Sequence, residues 1–295
     1  MSEPLRIDAD LVRRLVATQF PEWADLPVRA IEPGGWDNRT FRLGEQLTAR
    51  LPSAGRYAAA VEKEHAWLPR FAPHLPVAVP APIAIGEPGE GYGFPWSIRR
   101  WLEGETVLAC PPDLIQLASD LAGFLRAFQQ LDAAGGPVAG KHSFFRGGPL
   151  ATYDLQTRAA IEALGDRIDG SAATVVWEAA LETEFQGPPV WVHGDIAPGN
   201  LLVRDGRLCA VIDFGQLAVG DPACDLAIAW TAFRGDSRHA FRRALPLDEG
   251  TWARGRGWTL WKSLILLAGA PAGPAHETAE AKRVLAEVLS EAPRG

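Results

Sequence analysis

The chain has 295 residues, 47% of them hydrophobic and 22% charged, with 36 acidic against 29 basic side chains and a formal charge of −7. Such a length and composition exclude a minimal or disordered domain and fit one large domain or two cooperating lobes. The acidic balance argues against nucleic acid as a partner, since phosphate-backbone binding needs a basic footprint, and suits a neutral or cationic small ligand.

The opening MSEPLRIDAD has no apolar core of a secretory signal. Leu11, Leu15 and Val16 then fall on one face behind Asp8 or Asp10 as caps, which predicts a helix over 8–20. From Val28 to Leu51 the pattern changes to short strand-like pieces broken by Gly34-Gly35 and Gly44-Glu45. Tyr57 to Phe71 reads as a helix with Val61, Trp67 and Leu68 inward, closed by Pro73 and Pro76. Further strands are expected at Ile83–Ile85 and Trp96–Trp101. After Gly104 the chain turns helical. Leu114, Leu117, Leu121, Leu125, Phe128 and Leu131 recur at spacings of three and four, and helices also fit 154–167, 171–184, 222–233, 249–269 and 275–290. One β-rich insert, Val190 to Phe214, interrupts them. The apolar run Leu264 to Ala270 is far shorter than a bilayer span. Cys110, Cys209 and Cys224 are far apart, without C-x-x-C spacing, and read as reduced thiols. The expectation is a cytoplasmic α+β enzyme with no membrane association, monomeric or homodimeric, with a small sheet-based lobe over residues 1–102 and a mainly helical lobe over 103–295.

The informative segment is VWVHGDIAPGNLLVRDGRLCAVIDFG, residues 190–215. Asp205-Gly206 is a two-residue hairpin signal. Closing it with Arg204 opposite Arg207 pairs Leu201 with Ala210 and sets Asn200 opposite Val211, with Asp213 its diagonal neighbour on the same face. One amide oxygen and one carboxylate leave most of a coordination shell open. That suits Mg²⁺, which keeps waters and takes substrate phosphates. Asp195, five residues before Asn200, lies on a loop entered from an apolar strand and can orient an acceptor hydroxyl. The D-x-x-x-x-N and D-F-G pair is the protein-kinase arrangement of base, metal ligand and metal ligand.

HGDIAPGN, IDFG and GDPACDLA together resemble the aminoglycoside phosphotransferase family of protein-kinase-like small-molecule kinases, over nearly the whole chain. The resemblance implies a two-lobed kinase-like fold and ATP or GTP as co-substrate with Mg²⁺. Asp195 would be the catalytic base, Asn200 and Asp213 the metal ligands, His193 a structural part of the catalytic loop and Asp225 its brace. Asp221-Pro222 would open the next helix. It further implies that EPGGWDNRTFRLG, 32–44, folds over the phosphates. Arg50 stands where kinases usually carry lysine, with Glu64 as its ion-pair partner, and backbone groups of Arg100 and Leu102 would meet adenine. The acceptor is then a hydroxyl of a small molecule, an aminoglycoside-type antibiotic first, with macrolides, amino alcohols and sugars as alternatives. Asp154, Glu178, Glu182, Asp236, Asp248 and Glu249 could line a cation site, while Trp230, Phe233, Trp252, Trp258 and Trp261 would suit a bulkier, partly apolar acceptor.

Two features limit other readings. GGPVAGKH, 135–142, has the glycine and lysine spacing of a P-loop but His142 in place of Ser/Thr and a helix where the motif needs a strand. Gly194 replaces the arginine of protein kinases, and seven residues separate Asp213 from Asp221, too few for a peptide-docking activation segment. A nucleotide-binding pseudokinase is the remaining alternative; Arg50 favours it and the intact Asp195, Asn200 and Asp213 oppose it.

Overall fold

The computed structural model describes residues 6–32, 34–35, 37–269 and 275–290. Helix α1 (Ala9–Gln19) starts where Asp8 accepts from the Leu11 amide at 3.0 Å, and it buries Leu11, Val12, Leu15 and Val16. Behind it stands an antiparallel sheet of β1 (Val28–Ala30), β2 (Asn38–Leu43), β3 (Leu47–Pro52), β4 (Pro82–Gly86) and β5 (Trp96–Arg100), in the order β1-β2-β3-β5-β4. Phe41, Leu43, Ala49, Leu51, Trp96 and Ile98 complete this core. The Trp96 indole lies so close over Gly86 that a Cβ there would come within 2.0 Å of the ring. Only glycine allows that cover. Helix α2 (Gly55–Phe71) is the principal helix of this lobe, as its spacing predicts.

The second lobe comprises β6 (Glu105–Thr106), α3 (Leu114–Gln129), α4 (Asp154–Leu164), α5 (Gly170–Leu181), β7 (Val190–Val192), β8 (Leu201–Arg204), β9 (Arg207–Val211) and β10 (Ala218–Gly220). These are followed by α6 (Ile228–Thr231), α7 (Gly235–Ala244), α8 (Glu249–Ala268) and α9 (Ala275–Ser290). Strands β6, β8 and β9 form one small sheet, and β7 pairs with β10. A division at residue 102 does not separate the packing cleanly. Leu68, Phe71 and Val79 belong to the helical lobe's core, where Phe71 meets Trp191 and Phe128 at 4.7 and 5.6 Å between ring centroids. Ala78 also bonds to β9, donating to the Cys209 carbonyl and accepting from Val211, both at 3.0 Å.

Three local expectations are corrected. The β8–β9 hairpin starts as anticipated, Arg204 opposite Arg207, but a bulge at Cys209 places Leu202 against Ala210 and Leu201 against Val211. Asn200 therefore lies opposite Ile212, whose amide donates to its carbonyl at 2.9 Å. Residues 222–233 do not form one α-helix. Asp221 caps a tighter 3₁₀ segment, Pro222–Ala227, which carries Asp225 inward before α6 begins. Helix α7 was not anticipated, because GDSRHAFRRA has too few apolar residues to show a helical period. Its Arg238 is buried instead, donating to the Ala229 carbonyl at 2.7 Å and pairing with Glu287.

Candidate active site

Strand β7 delivers the chain to His193, Gly194 and Asp195. The buried Asp225 carboxylate accepts from the His193 amide at 2.8 Å and the Gly194 amide at 2.7 Å, bracing the turn at its start. Burial pushes the Asp225 carboxyl above the usual carboxylate range, although the His193 and Gly194 amides that it accepts from pull the other way. Gly194 has φ of +83°, and a Cβ on it would lie 2.9 Å from Gln216 and 3.0 Å from the Arg146 Cβ. An arginine of the protein-kinase kind has neither the backbone conformation nor the space. The Asp195 amide donates to His193 Nδ1 at 3.1 Å, so the ring proton sits on Nε2, which donates to the Ile212 carbonyl at 3.0 Å. His193 thus ties this loop to the end of β9. Asn200 Nδ2 donates to the Asp195 carbonyl at 2.9 Å and to Asp195 Oδ2 at 3.2 Å. With both amide hydrogens so engaged, the Asn200 oxygen is turned away from Asp195 and free to meet a cation.

Asp213 adopts a left-handed conformation, φ +66° and ψ +65°, so its carboxylate leaves the line of β9. It pairs with Arg50 of β3. Burial pushes the Asp213 carboxyl up, but Arg50, by charge and hydrogen bond, with His193 and Arg99, more than offsets this and holds it below the usual range. Arg50 also donates to Glu64 at 3.0 Å, forming the pair read from the sequence. Sequence reasoning missed Arg99, which donates to Glu64 at 2.6 Å from β5 and is itself buried. With its oxygen turned inward, the Asn38 amide accepts from Arg50 at 2.8 Å. Asp37 was missed too. Its carboxyl is raised first by burial and also by the nearby charges of Asp213 and Asp195. Lys63, beside Glu64 on α2, reaches the carbonyls of Gly215 and His142 at 3.0 and 3.3 Å, a tie between lobes that no local motif signals. Pro33 and Trp36 of the expected phosphate loop lie outside the described residues.

Residues 28–258, well over half the chain, match the Phosphotransferase enzyme family. The chain belongs to that family. Over 63 residues it is 38% identical to an aminoglycoside 3′-phosphotransferase from Escherichia coli, a stretch that is 21% of this chain and 23% of that relative's length. Among solved structures, a GDP complex of an aminoglycoside 2′-phosphotransferase of type IIIa superposes with TM-score 0.75 at 20% identity, covering 96% of this chain and 98% of the other. A macrolide 2′-phosphotransferase apoenzyme from Brachybacterium faecium gives TM-score 0.61 at 25% identity, covering 93% and 98%. The two-lobed kinase-like α+β fold follows from these likenesses.

The residues expected to meet adenine lie at the end of β5 and just after it. The Trp101 amide donates to the Gln46 carbonyl at 2.7 Å. Strand alternation therefore turns the backbone groups of Arg100 and Leu102 away from β3. The acidic residues that could line a cation site are mostly engaged with other groups of the chain. Asp154 accepts from Arg158 at 2.8 Å and from Trp177 at 2.7 Å, and Glu178 pairs with Arg158 at 2.7 Å. Asp248 caps α8, and Glu249 pairs with Arg242 at 2.9 Å. These carboxylates neutralise helix ends and surface arginines, and Asp236 likewise sits in the first turn of α7. Asp221 does cap its segment, and it also holds the buried Arg254 in a two-point ion pair at 2.7 and 3.2 Å.

Proposed function

We propose that the protein is a nucleotide-dependent phosphotransferase that phosphorylates a hydroxyl group of a small molecule in the cleft between the lobes. The observation that carries the reading is the Asn200 amide, fixed by Asp195 so that its oxygen can join the Asp213 carboxylate, whose Oδ1 is paired with Arg50, in holding one hard cation. Among the described residues no group of three or more His, Cys, Asp or Glu could hold a metal ion. A two-ligand set of this kind suits Mg²⁺ completed by phosphate oxygens and water. Bound there, Mg²⁺ would neutralise charge on the phosphates of ATP or GTP. Arg50, oriented by Glu64, would grip the same phosphates. Its fork keeps the cationic role of lysine and adds a second donor in the plane.

Asp195 would accept a hydrogen bond from the acceptor hydroxyl. The hydroxyl oxygen then bonds to the γ-phosphorus as the bond from that phosphorus to the nucleoside diphosphate breaks. The hydroxyl proton passes to Asp195 and on to water. Such transfer relies on positioning and charge stabilisation more than on covalent participation by the protein.

Two variants separate these roles. Asp213→Asn should abolish Mg²⁺-dependent nucleotide binding measured by calorimetry. Asp195→Ala should keep that binding and lower kcat by about 10²–10⁴, the range for loss of a general base. Unchanged Mg-nucleotide affinity in Asp213→Asn, tested with both ATP and GTP, would overturn the metal assignment. Absence of Mg-nucleotide binding by the wild-type protein would overturn the whole reading.

A further inference from the structure

We propose that the acceptor carries an anionic oxygen group, a carboxylate or phosphate, near its reacting hydroxyl, and that Arg146 recognises it. The inference rests on the phosphotransferase reading above. Arg146 is 9% exposed, and its Cβ packs against the Gly194 backbone, one residue before Asp195. Its guanidinium lies over the rings of Trp261 and Trp258 of α8, 4.5 and 4.9 Å from their centroids. The two indoles stand at 85° to each other, so the guanidinium lies flat on one of them at most, and the N–H groups not turned to an indole can grip a carboxylate or phosphate. Among the described residues those N–H groups have no hydrogen-bond acceptor and no carboxylate within ion-pairing distance. A buried arginine is ordinarily paired, as Arg99 is with Glu64 and Arg254 with Asp221. Arg146 is the exception, and it stands beside the residue that meets the acceptor.

A second observation points the same way. The Trp258 indole N–H next to it is buried and also lacks an acceptor. Two adjacent donors without acceptors call for a ligand rich in acceptor oxygens. Lys262 follows Trp261 on α8. Its ammonium is held below the ordinary lysine value, first by loss of hydration and then by Arg146, while Asp195 and Asp37 oppose this. Arg146 and Lys262 thus bring two basic side chains within electrostatic reach of Asp195. An aminoglycoside would bring ammonium groups against Arg146 and Lys262, with the expected acidic partners already engaged at Arg158, Arg242 and a helix cap. Desolvating like charges together is costly.

The test assays nucleoside-diphosphate release with Mg²⁺ and ATP or GTP. The acceptors are hydroxy acids and phosphorylated polyols, each beside its amide or dephosphorylated counterpart, together with kanamycin. Thermal shift with a non-hydrolysable nucleotide records binding of the same probes. Turnover or stabilisation confined to the anionic members is expected, with KM at least about tenfold below the uncharged counterparts, roughly the smallest effect of one charged hydrogen bond. The carboxylate and phosphate arms identify which anion is read. Arg146→Gln should raise KM for the anionic acceptor more than it lowers kcat, with Arg146→Lys recovering part of the loss. If Arg146→Gln fails to fold, the wild-type comparison of anionic and uncharged probes still decides. Turnover of kanamycin or neutral polyols with the anionic probes ignored would overturn the inference and leave the kinase reading standing. Failure of every anionic probe to bind, with Mg-nucleotide binding intact, would overturn it equally and assign Arg146 to packing alone.

Discussion

Lys63 stands one position before the buried Glu64, yet its ammonium points to backbone carbonyls of the other lobe. Burial lowers its pKa from 10.5 to about 8, with Glu64 pulling weakly upward. Below pH 8 the folded protein must hold this ammonium partly dehydrated. Between pH 8 and 10.5 the unfolded chain binds the proton more readily than the folded one, so this residue's contribution to stability rises with pH. Compared with Lys63→Met, the wild-type protein should gain on the order of 1–3 kcal/mol across that window, read from paired urea midpoints. Parallel pH profiles for the two proteins would show that the ammonium is well solvated in the folded state. The spacing of Asp195, Asn200 and Asp213 was legible at this scale because the three flank one short hairpin. Arg99, Asp37, Lys63 and Arg146 were not, since a lone charged residue on a strand, loop or helix reads as solvated surface.

Among the elements, α8 shows how glycine can serve a helix. Gly255 and Gly257 each lower helix propensity, yet a Cβ on Gly255 would lie 2.7 Å from Leu226. One on Gly257 would lie 2.6 Å from Ala180 and from Leu150. Close approach of α8 to α5 and to the segment after Asp221 requires both. Gly257→Val should therefore destabilise by about 1–3 kcal/mol, the usual cost of overpacking, despite removing a poor helix former. Chemical denaturation measures it, and a neutral or stabilising result would mean that α8 can move away without loss. The start of α1 was readable from its cap at Asp8, and Asp113 and Asp248 cap α3 and α8 in the same way. The β8–β9 turn was readable too, but the bulge at Cys209 was not. It answers a backbone bond from Ala78, more than a hundred residues earlier in the chain.

At the scale of the molecule, α2 is shared. Its Glu64 pairs with Arg50 and Arg99 of the sheet, while Trp67 and Phe71 enter the helical lobe against Trp191, 4.6 and 4.7 Å away. Removing that anchor should loosen both lobes. Phe71→Ala is expected to cost about 3–5 kcal/mol, the range for deleting a buried aromatic ring. Calorimetry should show one cooperative transition lowered as a unit. Two separated transitions, with only one displaced, would show that the lobes are independent.

Local order was determined by the sequence itself. Apolar periods, caps, the Asp-Gly turn and the spacing of Asp195, Asn200 and Asp213 act between neighbours in the chain, so they can be read without knowing the fold. Which charge meets which was decided only by tertiary structure. Glu64 receives Arg99 as well as Arg50, Asp225 receives the His193 and Gly194 amides, and the acids of the helical lobe turn to arginines and helix ends rather than to a ligand. Arg146 is left beside Asp195 without a partner for the same reason. Pairing energies depend on distance and burial, and both are set by the packing of segments far apart in sequence.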